Sequence, residues 1–131
     1  MTAASDADQS RITEVVQAYI DGSRSGDAEQ LRRAFHPDAR MYGSIAGQRL
    51  DLPIEEFIAL ASSRPADVDG TYAARIVLVE QIGDAAIAAI EETGFWGTLS
   101  FTDFFALSRF DGDWKIVNKT YAHTGGEPPA P

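Results

Sequence analysis

The sequence predicts an α+β domain in which three helices precede a curved antiparallel sheet. Two observations favour this class. Apolar residues recur at helical spacing through the first half of the chain, and four strand-length segments separated by short turns fill the second half. Because the helices come first and the strands follow, the helices are expected to pack on one face of the sheet. A chain of 131 residues is long enough to build one such core.

Three helical segments carry recognisable boundaries. DGSRSG ends the first, Asp27 caps the second with Gln30 three positions later, and Pro37 stops it. Pro53 suits the first turn of the third. The predicted buried faces are Ile12, Val15, Val16, Tyr19 and Ile20 on the first helix, Leu31, Ala34 and Phe35 on the second, and Ile54, Phe57, Ile58 and Ala61 on the third.

The predicted strands are TYAARIVLVE, DAAIAAIEETGF, TLSFTDFFALSRF and DWKIVNKTYAHT. Asp111-Gly112 between the last two predicts a two-residue hairpin turn, in which both residues need positive φ. Counting back from this turn sets Phe110 opposite Asp113, Phe104 opposite Lys119, Thr102 opposite Tyr121 and Ser100 opposite His123. Asp103 lies on the other face of its strand, opposite Thr120.

Composition sets limits on domains and partners. We predict a single domain over residues 9–124, with mobile tails at 1–8 and 125–131. The chain has no cysteine and only two distant histidines, so we predict neither a metal nor another cofactor. A net charge of −9 disfavours nucleic acid. The sequence shows no membrane-length apolar run and no signal peptide, so we expect a cytoplasmic protein without a membrane partner.

Two segments carry a family resemblance. ITEVVQAYIDGSRSGDAEQLRRAFHPDARMYG resembles the opening of the nuclear transport factor 2-like superfamily, which includes ketosteroid isomerases, polyketide cyclases and scytalone dehydratase. FTDFFALSRFDGDWKIVNKTYAH is similar to its lumazine-binding branch. The resemblance implies a cone in which three helices close over a bent sheet, a pocket between them, and a homodimer formed through the outer sheet face. Such folds host many activities.

Laid against the ketosteroid isomerases, the chain keeps only part of their catalytic site. Tyr19 occupies the position of the oxyanion-hole tyrosine, and Phe57 occupies an apolar pocket position. The general-base aspartate falls at Gly43, and the oxyanion-hole aspartic acid falls at Ala106. Both carboxyl groups are therefore missing, which argues against isomerisation by that mechanism.

The resemblance also orients the strands. It turns one face of the last strand, with Val117, Lys119, Tyr121 and His123, towards the pocket, and leaves Trp114 and Ile116 on an outer face built for a partner subunit. On the preceding strands it turns inward Ala89, Glu91, Thr93, Thr102, Phe104 and Ala106. Asp103 has the opposite parity and is therefore expected to face outward at the dimer interface, unless a bulge in its strand reverses it. A turn at Trp96-Gly97 brings Glu91 near Thr102.

These residues suggest acid–base chemistry. Glu91 or His123 would act as general base, and Tyr19 or Tyr121 would donate to a developing oxyanion. Lys119 would fix an anionic substrate, or form a Schiff base if it were well desolvated. The structural alternative is an ion pair of Glu91 with Lys119, completed by Tyr121 and His123 in one hydrogen-bonded network.

The pattern leaves three functions open. The first is a cofactor-independent isomerase, cyclase or dehydratase acting on a small apolar or aromatic substrate. For such an enzyme the predicted catalytic residues are Glu91, His123, Tyr19 and Lys119, and the predicted substrate-binding residues are Phe57, Thr93, Thr102, Phe104 and Tyr121. The second is a binding protein that uses the same pocket without chemistry. The third is a dimeric interaction module whose cone is filled by its own side chains. His36, in a loop after the second helix, is expected to be a surface residue.

Overall fold

The structure, a computed structural model, describes residues 6–129. Its helices are α1 (Asp6–Ser25), α2 (Ala28–Ala34) and α3 (Ile54–Ser63), and its strands are β1 (Phe35–Ile45), β2 (Gln48–Arg49), β3 (Leu52–Pro53), β4 (Ala73–Ile82), β5 (Ala85–Phe95), β6 (Leu99–Phe110) and β7 (Asp113–Gly125). Residues 6–8 of the predicted first tail are therefore helical. The outermost parts of both predicted tails, 1–5 and 130–131, lie outside the described residues.

The predicted α+β class is confirmed, but the sheet is mixed rather than wholly antiparallel. Its strand order is β2-β1-β7-β6-β5-β4, with β3 paired to β1, and the sheet does not close on itself. The pairing of β1 with β7 is parallel. The sequence pattern does not predict β1. Pro37 and Asp38 interrupt the start of this strand, and the regular alternation of buried and exposed residues begins only at Ala39.

The helices close over the concave side of the sheet. Asp27 caps α2 as predicted, and its carboxylate accepts a hydrogen bond from the Gln30 N–H at 3.1 Å. Tyr19 of α1 packs its ring against Phe35, Phe57 and Phe105, with ring centroids 5.9, 6.1 and 5.0 Å away. Full burial of a large apolar side chain contributes roughly 1.5–3 kcal/mol, so this aromatic group helps to fix the helices on the sheet.

The hairpin between β6 and β7 has the predicted turn but a different register. Asp111 and Gly112 have φ values of 49° and 87°, and Phe110 pairs with Asp113 as predicted. The ladder then shifts, because Leu107 pairs with Ile116 whereas Ala106 pairs with Asn118. Val117 is the extra residue of a β-bulge on β7.

This bulge reverses the faces that counting from the turn had predicted. The observed pairs are Phe105 with Lys119, Asp103 with Tyr121 and Phe101 with His123, so the predicted partners Phe104, Thr102 and Ser100 are wrong. A slip of one residue moves every side chain of a strand to its other face. The expected outward position of Asp103 is therefore wrong. The bulge lies on β7 and not on β6, the strand of Asp103, and it pairs Asp103 with Tyr121 on the inner face.

The bulge also lets residues on both of its sides face the core. Trp114 and Ile116 are buried among the helices, and Lys119 and Tyr121 are buried further along the same strand. The predicted outer position of Trp114 and Ile116 is wrong for this reason. The outer face instead exposes apolar side chains from three strands. Leu78, Ile87 and Phe104 line one shallow depression there.

Over residues 6–129, no helix combines the length and the apolar character needed to cross a membrane.

Candidate functional site

A cavity lies between the helices and the concave face of the sheet. Most of its lining is apolar, and it includes Met41, Leu50, Phe57, Leu60, Phe95 and Phe101. The space between the lining side chains, including the mouth, is about 440 Å³. The side chains crowd this space, so the centre of a water molecule can occupy only about 30 Å³ of it. As it stands the cavity therefore holds one or two water molecules, and a larger ligand requires lining side chains to move.

Two carboxyl groups meet beneath this cavity. Glu92 on β5 and Asp103 on β6 are 1% and 0% exposed. Glu92 pairs with Phe101, so Asp103, two residues further along β6, is its diagonal neighbour on the inner face. Burial raises the pKa of Glu92 well above its ordinary value, and the charge of Asp103 and a hydrogen bond to it raise this pKa further. The protonated Glu92 carboxyl is thus a donor to Asp103.

Two buried tyrosines hold this carboxyl pair. The Tyr72 hydroxyl donates to Oε2 of Glu92 at 2.5 Å, and the Tyr19 hydroxyl donates to Oδ2 of Asp103 at 3.3 Å. Burial is the main cause that raises the pKa of both tyrosines, and the neighbouring carboxyl pair of Glu92 and Asp103 adds to it. Both hydroxyls therefore keep their protons and act as hydrogen-bond donors.

Lys119 of β7 places a cation beside the carboxyl pair. Its side chain is almost fully buried, and Nζ lies 4.0 Å from Oδ2 of Asp103. Nζ also lies over the rings of Phe57, Tyr19 and Tyr121, at 4.3, 4.9 and 5.1 Å from their centroids. Ring faces and a carboxylate both attract an ammonium group. A separation of 4.0 Å is too long for a hydrogen bond, so the N–H groups of Lys119 remain available to a ligand.

Two further polar atoms at the cavity have unused bonding capacity. Within residues 6–129, Oγ of Ser23 is buried without a full hydrogen bond, and Oδ1 of Asp103 is buried with no hydrogen bond beyond the one that the Glu92 carboxyl donates to Asp103. The Ser23 hydroxyl approaches Tyr19 closely enough to lower the pKa of that tyrosine slightly, but without full hydrogen-bond geometry. Buried polar atoms of this kind are usually satisfied by water or a ligand.

The predicted inward orientation of Glu91 is wrong. Glu91 lies on the outer face, where it accepts a hydrogen bond from Nε of Arg75 at 2.9 Å, and its side chain is 45% exposed. The predicted pairing of Glu91 with Thr102 is correct, but both residues point away from the cone. The alternative ion pair between Glu91 and Lys119 is wrong for the same reason, since the two side chains lie on opposite faces of the sheet.

Three predicted substrate-binding residues were likewise assigned to the wrong face of the sheet, because the predicted inner face is shifted by one residue. Thr93 is exposed, Thr102 is half-buried on the outer side, and Phe104 is 52% exposed. Their sequence neighbours face the cone instead, namely Glu92, Phe101, Asp103 and Phe105.

Four predicted site residues do come together in the cone, namely Tyr19, Phe57, Lys119 and Tyr121. The Tyr121 hydroxyl donates to the Leu50 carbonyl at 2.8 Å, and burial raises the pKa of Tyr121 to about 12. The catalytic roles of Tyr19 and Lys119 and the substrate-binding roles of Phe57 and Tyr121 stay predictions.

His123 lies apart from the cavity, near the end of β7. Its Nδ1 accepts a hydrogen bond from the Ala46 N–H at 3.1 Å, and Nε2 lies 2.8 and 2.7 Å from the carbonyl oxygens of Gly125 and Gly126. A ring that accepts at Nδ1 and donates at Nε2 is a neutral tautomer. These bonds tie β7 to the β1–β2 turn and do not present the imidazole to the cone.

Gly43 shows why the ketosteroid isomerase base is missing. A Cβ at this position would lie 2.5 Å from Cε1 of Tyr121, so the Tyr121 ring fills the space that a side chain would need. The carboxyl groups of this cone instead come from β5 and β6. Across the described part of the chain, no three His, Asp or Glu side chains converge as metal ligands.

Comparison with known proteins gives the family. Residues 7–122 match the family described as "Putative lumazine-binding". An NTF2-like protein of unknown function from Methylobacillus flagellatus KT is 31% identical, with a TM-score of 0.84 over 93% of this chain and 96% of its own. Another, from Shewanella baltica OS155, is 26% identical, with a TM-score of 0.83 over 95% and 100%.

A third relative has a named activity. Aldolase FrzH from Cladobotryum sp is 24% identical over 104 residues, which cover 79% of this chain and 81% of the aldolase. The length of the family match, the fold and the cone together place the protein: this chain belongs to the "Putative lumazine-binding" family within the nuclear transport factor 2-like superfamily.

Proposed function

We propose that this protein binds a small carbonyl compound in the cone and moves protons on it by acid–base chemistry without a cofactor. The observation that carries the proposal is the buried cluster of Glu92, Asp103 and Lys119 at the cavity, with unused bonding capacity on Asp103 and Lys119. Burying charged groups is costly, and perturbed groups in a cleft are typical of functional sites. The similarity to an aldolase supports the same class of chemistry.

Each member of the cluster has a role in this reaction. The Asp103 carboxylate removes a proton from the carbon next to the substrate carbonyl, the C–H electron pair forms the C=C bond of the enolate, and the π pair of the carbonyl moves to its oxygen. Lys119 donates a hydrogen bond to that oxygen and stabilises the enolate. Glu92, held protonated by its surroundings, positions Asp103. Returning the proton to another carbon, expelling a leaving group, or attacking a second carbonyl would give isomerisation, dehydration or aldol addition.

The surroundings of Lys119 favour an electrostatic role over a Schiff base. A Schiff base requires the neutral amine, whereas three aromatic rings and Asp103 all attract the ammonium form. Borohydride reduction in the presence of a ketone separates the two roles. We expect no added mass on Lys119, and a reduced adduct there would replace the enolate mechanism by an enamine mechanism.

The test of the proposal uses 2-pentanone in D₂O, with exchange of its α-protons followed by proton NMR. We expect the wild-type protein to accelerate exchange, and Asp103→Asn and Lys119→Met to lower the rate at least roughly 100-fold, as removal of a general base or of an oxyanion donor typically does. Glu91→Gln, one residue away from Glu92 on the outer face, is the control and should exchange at the wild-type rate. Equal rates in Asp103→Asn and wild type would refute the assigned base.

A second candidate is ligand binding without chemistry. Two observations favour it: the family name, and the direct Tyr72–Glu92 hydrogen bond, which already satisfies part of the cluster. It predicts that lumazine, a planar heterocycle with several hydrogen-bonding atoms, raises the melting temperature and is recovered unchanged. Conversion of the ligand in that assay would exclude a purely binding role.

We also propose that the protein is a homodimer through the outer sheet face. The support is the exposed apolar depression formed by Leu78, Ile87 and Phe104, since contiguous apolar surface often marks an interface. Sedimentation velocity should give a dimer for the wild type and a monomer for Phe104→Glu. A wild-type monomer at micromolar concentration would contradict this assignment.

A further inference from the structure

Ser23 is a buried residue that the proposed reaction does not use. It lies on α1, is fully buried, and lines the cavity opposite the sheet residues Asp103 and Lys119. Its hydroxyl has no full hydrogen-bond partner among the described residues. Ser25, two residues later on the same helix, donates its hydroxyl to the Asp21 carbonyl at 3.1 Å, the ordinary solution for a helical serine. Ser23 makes no such bond to its own helix.

An unpartnered buried hydroxyl makes the free protein less stable than alanine would. The hydroxyl loses its hydrogen bonds to water without replacement, and alanine is the better helix former. The approach to Tyr19 offsets little of this loss, since the geometry of a full hydrogen bond is not reached. The hydroxyl therefore fits a role in binding better than a role in folding.

We propose that Ser23 binds a second oxygen of the substrate while Lys119 holds the carbonyl. This inference rests on the proposed function, and it narrows the substrate class to short ketones or aldehydes that carry a further hydroxyl or carbonyl group. Ser23 on α1 and Lys119 on β7 both line the cavity, so a small molecule that enters it as lining side chains move lies within reach of both. Serine can donate to a carbonyl or accept from a hydroxyl, so either group satisfies it.

Two ketones of nearly equal shape test this inference. 4-Hydroxy-2-butanone differs from 2-pentanone by a hydroxyl in place of a methyl group. Dissociation constants from ligand-observed NMR titration should show that the wild-type protein prefers the hydroxyketone by about tenfold, the ratio that one good hydrogen bond gives. Ser23→Ala should abolish this preference, by weakening binding of the hydroxyketone towards that of 2-pentanone. Ser25→Ala, on the same helix, should keep it.

The melting temperature provides the second readout. Ser23→Ala should melt at or above the wild-type temperature, because it removes an unsatisfied hydroxyl. A clear drop would show that the hydroxyl serves folding and would overturn the inference. If 2-pentanone binds and exchanges its α-protons but the hydroxyketone has no advantage, the role of Ser23 is wrong and the proposed function stands. If neither ketone binds, both are wrong.

Discussion

Glu91 and Glu92 are neighbours on one strand, yet they lie in opposite environments. Glu91 lies on the outer face in an exposed ion pair with Arg75, whereas Glu92 lies inside the cone between Tyr72 and Asp103. The same chemical group is thus a surface charge at one position and a protonated buried acid at the next. The difference shows that in this sheet the face, rather than the residue type, decides whether a carboxyl group is a solvated charge or a buried acid.

The two faces also carry ion pairs of different stability, and the largest expected effect comes from breaking the inner one. Lys119→Met should lower the free energy of unfolding by about 3–5 kcal/mol, because it leaves Asp103 as an uncompensated buried charge. Arg75→Met, which breaks the exposed pair with Glu91, should cost under about 1 kcal/mol. Urea denaturation of both variants measures the difference. Equal losses would mean that the inner pair is hydrated.

A smaller effect tests how closely the inner face is packed. Gly43→Ala places a methyl group 2.5 Å from the Tyr121 ring and should cost about 1–3 kcal/mol, because the ring must move and its hydroxyl leaves the Leu50 carbonyl. Gly125→Ala is the matched control, since its Cβ would meet only Ser100 at 3.7 Å. Thermal unfolding of the pair checks this. An unchanged melting temperature for Gly43→Ala would show that Tyr121 is free to move.

The smallest predicted effect is a slope of stability with pH. The pKa of Glu92 is raised in the folded protein, so above the unfolded value of about 4.3 the folded state binds more protons than the unfolded state. This contribution to stability is therefore complete below the unfolded pKa and is lost as pH rises towards the folded pKa. Its slope reaches at most about 1.4 kcal/mol per pH unit.

Glu92→Gln mimics the protonated acid and should remove this slope, whereas Glu91→Gln should retain it. Urea denaturation at a series of pH values, with the wild type in parallel, measures the effect. A slope that persists in Glu92→Gln would assign it to another group.

Local signals in the sequence predicted the parts of the fold that depend on local chemistry. Asp27 capped α2 and Asp111-Gly112 formed the hairpin turn as predicted, because each signal acts within a few residues. The bulge at Val117 could not be predicted in this way. It allows Ile116 and Lys119, an odd number of residues apart, to face the core together, and this requirement comes from the helices that pack above them.

The same bulge explains why the candidate site was predicted only in part. The family resemblance oriented four of the predicted residues correctly, namely Tyr19, Phe57, Lys119 and Tyr121. The first two lie on helices, and the inward orientation of the other two on β7 did not depend on the register counted across the bulge. Glu92 and Asp103 were missed, since the resemblance, combined with the register counted from the turn, gave β5 and β6 the wrong face. The one available signal was the inclusion of Asp103 among apolar alternate residues Phe101, Phe105 and Leu107.

The protonation of Glu92 is the most direct test of the inner cluster. Carbon-13 NMR of side-chain carboxyl-labelled glutamate, followed across a pH titration, assigns each signal by its loss in Glu91→Gln or Glu92→Gln. The account predicts that the signal lost in Glu92→Gln titrates at a pH well above the ordinary glutamate value of about 4.3. A Glu92 signal that titrates at or below that value would show an ionised carboxyl in the cone and would contradict the account.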